Sequence, residues 1–198
     1  MPIENADSLS LVTGLSEPAD PWRTVCSDVA YESRRMRVLR DRAVNPGGVA
    51  VDYDWFATAD QVRVAAVVDG SILVVEQHHY LVGPLLQLPG GRVEGEEGSL
   101  CSAQRELAEE TGYRRGNWTS AGDLVPLPAL SPMRVHLWIA TDLSPGPADL
   151  SSGESDLRVH ALALDEAIAA VAAGRVRCAP SATLILLAAA TVGSGTAR

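Results

Sequence analysis

The chain of 198 residues is poor in cysteine and in positive charge. Its three cysteines, Cys26, Cys101 and Cys178, are too few and too scattered for a disulfide framework or a zinc site, so we expect a reducing compartment. Sixteen basic residues stand against 25 acidic ones, and the net charge is −9. This balance argues against general affinity for nucleic acid.

The sequence also lacks long apolar runs, and its first residues do not have the pattern of a secretory signal. The first seven residues, Met-Pro-Ile-Glu-Asn-Ala-Asp, contain neither a basic nor an apolar region, so no secretory signal is predicted. Residues 182–192 form the most apolar stretch, which is too short to span a bilayer and predicts a buried helix. We therefore expect a cytoplasmic protein with no membrane partner. The hydrophobic content of 46% is sufficient for a core of ordinary size.

Turn residues divide the chain into short strands and helices. Residues 22–58 contain two or three strands, broken by a turn at residues 45–48, Asn-Pro-Gly-Gly. Apolar runs at 62–68 and 72–75 flank Asp69-Gly70, which is the pattern of a β-hairpin. Further strands are expected at residues 85–88, 124–125, 135–140 and 157–164, and helices at 165–173 and 181–192, with a polar loop at 143–156.

This mixture of elements indicates the α+β class, as a three-layer α/β/α sandwich around a mixed sheet with a small N-terminal antiparallel β lobe. The predicted organisation is a flexible arm at residues 1–20, the β lobe at 21–58, the main domain at 59–192 and a tail at 193–198.

A helix preceded by a glycine-rich loop is predicted within residues 90–112. Apolar side chains recur at steps of three and four, which marks one face of a helix. Ser99 is the expected N-cap and Gly112 the expected end of the helix. The apolar positions are Leu100, Ala103, Leu107 and Thr111, and the loop glycines are Gly90, Gly91, Gly95 and Gly98.

Glutamates are concentrated on the same helix. Glu106 and Glu110 are four residues apart, so their side chains stack on one face at about 6 Å, with Glu109 beside them. Like charges at this spacing weaken an isolated helix. A bound divalent cation explains this arrangement better than a solvated acidic face. Carboxylate oxygens suit Mg²⁺ or Mn²⁺, which bind substrate phosphates as well.

The spacing of these residues resembles the Nudix box, G-x5-E-x7-R-E-U-x-E-E-x-G-U, where U is aliphatic or aromatic. Gly91, Glu97, the run Arg105-Glu106-Leu107, the pair Glu109-Glu110 and Gly112-Tyr113 fill every fixed position. Resemblance to Nudix hydrolases implies a metal-dependent enzyme that cleaves a diphosphate linked to another moiety.

From about Trp22 to about Leu187 the chain is similar to the ADP-ribose pyrophosphatase branch of that family. Val75-Glu76-Gln77-His78-His79 stands where the branch has a strand ending in Gln-Tyr-Arg, and Leu88-Pro89-Gly90-Gly91 resembles its Leu-Pro-Ala-Gly. Pro128 lies near the proline associated with ADP-ribose specificity, and Glu154-Ser155-Asp156 matches an acidic catalytic loop. The resemblance also implies a homodimer in which the N-terminal lobe contributes to the partner's site.

The resemblance implies a role for each matching residue. Glu106 and Glu110, helped by the Gly90 carbonyl and by Glu109, are expected to bind Mg²⁺ or Mn²⁺. Glu109 and Glu154 both remain candidates for the general base. Arg105 is expected to orient the carboxylates through bidentate hydrogen bonds, and Glu97 to support the loop. The expected substrate-binding residues are Gln77, His79, Gly91, Arg92 and Pro128.

Departures from the branch concern the substrate rather than the metal helix. His79 replaces an arginine, so its charge at neutral pH is conditional. Gln87 replaces a glutamate. His78 and His79 are adjacent on a strand and point to opposite faces, so they cannot easily chelate one ion together.

Three functions remain: a pyrophosphatase for ADP-ribose or a related nucleotide sugar, the same chemistry on another specialised nucleotide or a nucleoside triphosphate, and a non-catalytic nucleotide-binding module.

Overall fold

The computed structural model describes residues 21–150 and 154–195, so the expected arm at 1–20 and the last three residues of the tail lie outside it. Nine strands and three helices are defined within these ranges. In chain order they are β1 (Arg23–Glu32), β2 (Met36–Val44), β3 (Ala50–Thr58), β4 (Gln61–Val68), β5 (Ser71–His79), β6 (Gly83–Gln87), α1 (Ser99–Thr111), β7 (Asn117–Leu124), β8 (Val135–Thr141), β9 (Arg158–Ala163), α2 (Leu164–Ala172) and α3 (Ala179–Gly195).

The first three strands form a separate antiparallel sheet in the order β1-β2-β3. All ten residues of β1 are exposed, so this edge strand contributes nothing to the core of its own chain. The sheet is attached to the rest of the protein through β3. The Phe56 N–H donates to the Leu130 carbonyl (2.9 Å), and the Tyr53 hydroxyl donates to the Ala129 carbonyl (2.8 Å).

The other six strands form a mixed sheet in the order β6-β5-β4-β8-β7, with β9 paired to β5. Only the β4–β8 pair is parallel. The hairpin expected around Asp69-Gly70 is confirmed, but β4 and β5 pair only beside the turn, at Val67↔Ile72 and Val68↔Ser71. Beyond that point the two strands separate.

Helices cover both faces of the mixed sheet, which confirms the three-layer arrangement. On one face, Ala103 and Leu107 of α1 pack against β4. On the other face, α2 and α3 pack over Ala65 and neighbouring strands. Successive β4 side chains alternate between these two clusters, because residues along a strand point to opposite faces.

Several local expectations were wrong or incomplete. Ser99 is the first residue of α1 rather than its cap; Gly98 occupies the N-cap position without a side-chain bond. Pro180 lies inside the first turn of α3, where its missing N–H costs nothing. The strand expected at 124–125 is β7, which begins at Asn117. Its first residues were not predicted as a strand because they are mostly polar. Residues 182–192 are not wholly buried, because Leu186 and Leu187 are exposed.

None of the helices in the described ranges has the length and apolar character needed to cross a bilayer.

Candidate active site

The separation of β4 and β5 opens a cleft at the end of the hairpin opposite its turn. In place of β5, β4 receives the segment just before the box helix. The Val64 N–H donates to the Pro89 carbonyl and the Val62 N–H to the Gly91 carbonyl, both at 2.9 Å. The glycine segment is thereby held along the edge of the sheet and beneath the carboxylates of α1.

Three glutamates meet in this cleft. Packing of α1 on β4 turns Glu106 and Glu110 inward, and these residues are only 8% and 4% exposed. Glu154 comes from the loop before β9. One carboxylate oxygen from each of the three lies within 4.8 Å of the others. Glu109, at 40% side-chain exposure, does not belong to this cluster.

The glycine segment fits tightly around two of these carboxylates. The Gly90 N–H donates to Glu110 Oε2 at 2.9 Å. Gly90 has φ = 142°, and a Cβ built on it would lie 2.2 Å from the Val62 carbonyl oxygen. A Cβ on Gly91 would lie 2.5 Å from Glu106 Oε1. Only glycine allows the backbone this close to the carboxylates.

In the absence of a cation, the surroundings of Glu106 and Glu110 favour the neutral forms of these two carboxyl groups. Burial raises the pKa of Glu110 to about 8, and the charge of Glu106 adds to the rise. Burial also raises the pKa of Glu106, against the opposing effect of Arg105. Buried, crowded oxygen donors are the ligands that Mg²⁺ and similar hard ions prefer, so this donor set fits a divalent metal.

Arg105 organises the outer side of the cluster. Its guanidinium donates to Glu97 Oε2 (3.1 Å), Glu106 Oε1 (3.0 Å), Glu109 Oε2 (3.1 Å) and the Arg92 carbonyl (3.0 Å). The hydrogen bond from Arg105 is the main reason that the pKa of Glu97 is lowered. Arg105 therefore contacts a single oxygen of each of three glutamates rather than both oxygens of one, and it ties Glu97 of the loop to the helix.

Of the two candidates for the general base, Glu154 lies within the carboxylate cluster and Glu109 lies outside it. The carboxylate of Glu109 is already held by Arg105, whereas that of Glu154 faces Glu106 and Glu110. Asp156 fixes the loop that carries Glu154, because its Oδ2 accepts the His78 N–H at 3.0 Å. The Leu157 N–H closes a turn on the Glu154 carbonyl at 2.9 Å.

The cleft has a volume of about 490 Å³ and contains most of the expected substrate-binding residues, namely Gln77, His79, Gly91 and Arg92. It also contains residues that the sequence analysis did not select as binding residues: Arg34, Arg35, Gln61, Arg63, Gln87 and Glu94. Gln61 and Arg63 alternate along β4, as Gln77 and His79 do along β5. Such polar residues at every second position of otherwise apolar strands were the signal that could have identified them.

Pro128 lies elsewhere. It lines a second hollow of about 390 Å³ between the N-terminal sheet and the loop before β8, together with Tyr53, Trp55 and Leu130. Within one chain the structure does not bring Pro128 into the carboxylate cleft. His78 also faces away, into a hollow that it shares with Asp156 and Arg158.

Comparison with known proteins agrees with this geometry. The family model of the NUDIX domain matches residues 58–176, which include the glycine segment, α1 and the Glu154 loop. The chain belongs to the Nudix family. A relative from Streptomyces rubellomurinus, a CMP-5'-(N-acetyl-N-hydroxy-3-aminopropyl)phosphonate hydrolase, is 31% identical over 86% of this chain and 82% of its own length.

Two further proteins are similar to this chain, one in sequence and one in structure. The ADP-ribose pyrophosphatase of Mycobacterium tuberculosis is 29% identical over 78% of this chain and 77% of its own length. The crystal structure of an ADP compounds hydrolase superposes with a TM-score of 0.82, covering 92% of this chain and all of the other, at 17% identity. The latter likeness supports the Nudix fold. The protein is a Nudix hydrolase with relatives in the ADP-ribose pyrophosphatase branch.

Proposed function

We propose that this Nudix hydrolase cleaves a nucleoside diphosphate linked to a sugar, with ADP-ribose as the first candidate, and releases a nucleoside monophosphate and a sugar phosphate. The observation that carries the proposal is the buried Glu106–Glu110–Glu154 cluster in a cleft that also contains four arginines. Carboxylates that hold a cation, together with nearby guanidinium groups, suit a doubly charged diphosphate.

Size and relatives support a substrate with a group beyond the diphosphate. A cleft of about 490 Å³ is in the usual range for small-molecule sites. The relatives from Mycobacterium tuberculosis and Bacillus subtilis are both ADP-ribose pyrophosphatases.

The residues divide the chemistry as follows. Glu106 and Glu110, with the Gly90 carbonyl, hold Mg²⁺ or Mn²⁺, and Glu109 contributes through Arg105. When bound, the metal polarises a phosphoryl oxygen and lowers the pKa of a water molecule. Glu154 accepts the proton of the attacking water. Arg105 keeps the carboxylates in place. Gly91 has no side chain, so the diphosphate of the substrate can approach the main chain closely at this point.

A second candidate is the same reaction on a different specialised nucleotide. It is favoured by the relative that acts on a CMP-linked phosphonate and by His79, which stands where the similar branch has arginine. His79 lies 3.3 Å from the side-chain nitrogen of Gln87, so its immediate neighbour is neutral. Recognition of the terminal group would then differ while hydrolysis of the anhydride is unchanged.

A substrate screen separates these possibilities. We expect the purified protein with Mg²⁺ or Mn²⁺ to convert ADP-ribose or another nucleotide sugar into a nucleoside monophosphate and a sugar phosphate, and EDTA to abolish the reaction. The panel should include CDP- and UDP-linked compounds and all four common nucleoside triphosphates, with products identified by mass spectrometry. Pyrophosphate release from a triphosphate, with no turnover of any diphosphate-linked compound, contradicts the proposal. Binding without any turnover indicates a nucleotide-binding module.

The protein is also proposed to act as a homodimer through its N-terminal sheet. β1 is exposed along its whole length. Its exposed apolar residues are Val25, Val29 and Tyr31, and Trp22, just before the strand, is exposed as well. An edge strand with exposed apolar side chains is a site for pairing with another chain. Light scattering at micromolar concentration should give about twice the chain mass of 20.9 kDa. A monomer at that concentration is incompatible with this assignment.

A further inference from the structure

Among the four arginines that line the cleft, only Arg63 is buried. Arg63 interrupts β4 between Val62 and Val64, which are both fully buried. Arg63 itself is only 8% exposed, yet it lines the same cleft as Glu106 and Glu110. A buried arginine in an apolar strand is costly, because its charge loses the solvation of water.

The guanidinium of Arg63 lacks an anionic partner in the described part of the chain. No carboxylate oxygen there lies within 4.0 Å of it. Nη1 donates to the adjacent Val62 carbonyl at 2.8 Å, and Nε is buried with no hydrogen-bond partner. Buried charges in proteins are normally paired, so a cation left in this state indicates an anion that binds from outside.

The position of Arg63 suits such an anion. The guanidinium hydrogen-bonds the side chain of Cys178, the residue just before α3, and its charge also acts on Glu110, so Arg63 lies near the carboxylate cluster. The other strand that borders the cleft presents Gln77 and His79, neither of which is permanently charged. Arg63 is therefore the fixed positive charge contributed by the β4 and β5 walls of the cleft.

We propose that Arg63 is a substrate-binding residue whose guanidinium contacts a phosphate of the bound diphosphate, next to the carboxylate cluster. This inference rests on the proposed function, because a diphosphate substrate supplies the anion. A phosphate oxygen accepts hydrogen bonds from the fork of an arginine and offsets its buried charge. The contact fixes the diphosphate from the strand side, while the carboxylates act from the helix side.

The test uses methylenediphosphonate, a diphosphate analogue with a P–C–P bridge, titrated calorimetrically into the full chain in saturating Mg²⁺. We expect Arg63→Gln to weaken its binding at least tenfold, which corresponds to about 1.4 kcal/mol. Arg63→Lys keeps the charge without the fork geometry and should lose less. Arg177→Gln is the matched control, because Arg177 donates to the Pro84 carbonyl away from the cleft. The affinity of this variant for methylenediphosphonate should stay within twofold of the wild-type value.

Other outcomes overturn the inference. Wild-type affinity in Arg63→Gln does so directly. A changed Mg²⁺ affinity with unchanged diphosphonate affinity does so too, because Arg63 would then only balance the carboxylates. Should Arg63→Gln fail to fold, the Nε–H resonance of Arg63 in the wild-type protein gives the answer, as it must shift when methylenediphosphonate is added. An unshifted resonance at saturation contradicts the contact.

Failure of the proposed function would look different. A wild-type protein that hydrolyses no diphosphate-linked compound, but binds methylenediphosphonate through Arg63, contradicts the proposed function and leaves the binding role of Arg63 intact.

Discussion

A Glu110→Gln variant is expected to turn over its substrate at least about 10²-fold more slowly than the wild type, in the range for loss of a catalytic group. Glu110 is the most buried of the three clustered carboxylates and accepts the Gly90 N–H. An amide oxygen can preserve that hydrogen bond, but it cannot supply the negative charge that a divalent ion requires. Steady-state rates at saturating Mg²⁺ measure the effect, and Glu96→Gln, in the exposed part of the loop, is the matched control. Near-normal turnover would refute the metal assignment.

The pH dependence of the stability of the Glu110→Gln variant shows whether the substitution leaves the fold intact. In EDTA, the wild-type protein should lose stability as pH rises from the ordinary glutamate pKa of 4.5 through about 8, because the folded state holds the Glu110 proton more tightly than the unfolded chain. Glu110→Gln has no such proton and should show a flatter profile, with greater stability than the wild type at pH 8. Urea denaturation at several pH values provides the comparison. A variant less stable than wild type at pH 8 would indicate that the substitution damages the fold.

A Gly90→Ala variant is expected to lose about 3 kcal/mol or more of unfolding free energy and nearly all activity. The added Cβ would stand 2.2 Å from the Val62 carbonyl oxygen, and φ = 142° is strained for any residue with a side chain. Overpacking and backbone strain each cost about 1–3 kcal/mol. Since the glycine segment is hydrogen-bonded to β4 on one side and to Glu110 on the other, a shift of Gly90 displaces the carboxylate cluster as well.

Gly95→Ala separates steric overlap from backbone strain. Gly95 also has a positive φ, of 54°, but no atom lies within 4 Å of its missing Cβ. The Gly95→Ala variant should therefore lose only about 1 kcal/mol of unfolding free energy and keep an activity close to that of the wild type. Denaturation of both variants under the same conditions decides the point. Equal losses for the two would show that the close approach of Gly90 to β4 is not important.

The helix that carries the carboxylates could be predicted from sequence, because local spacing determines it. The period of α1, its end at Gly112 and the joint orientation of Glu106 and Glu110 all follow from residues within one segment. The layering of helices around a mixed sheet was likewise expected and is confirmed. Most of β7 was not predicted, because apolar and polar residues hardly alternate in its sequence, Asn-Trp-Thr-Ser-Ala-Gly-Asp-Leu. Its position is determined by pairing with β8.

The walls of the cleft could not be predicted in the same way. Whether Glu109 or Glu154 joins the cluster depends on Arg105, which holds one of them, and on Asp156, which fixes the loop of the other. The position of Arg63 beside these carboxylates depends on where β4 parts from β5. These are relations between distant segments, so no local pattern contains them.

The short pairing between β4 and β5 also bears on how the chain folds. Each of these strands pairs at six positions with a strand far along the sequence, β4 with β8 and β5 with β9. Such topologies fold more slowly than those built on local contacts, because long loops must close first. During synthesis on the ribosome, β5 cannot complete its pairing until residue 163 has emerged, and Glu154 is brought to the cluster only by this late part of the chain. The residues of α1 are therefore synthesised before the segment that brings Glu154 to the cluster.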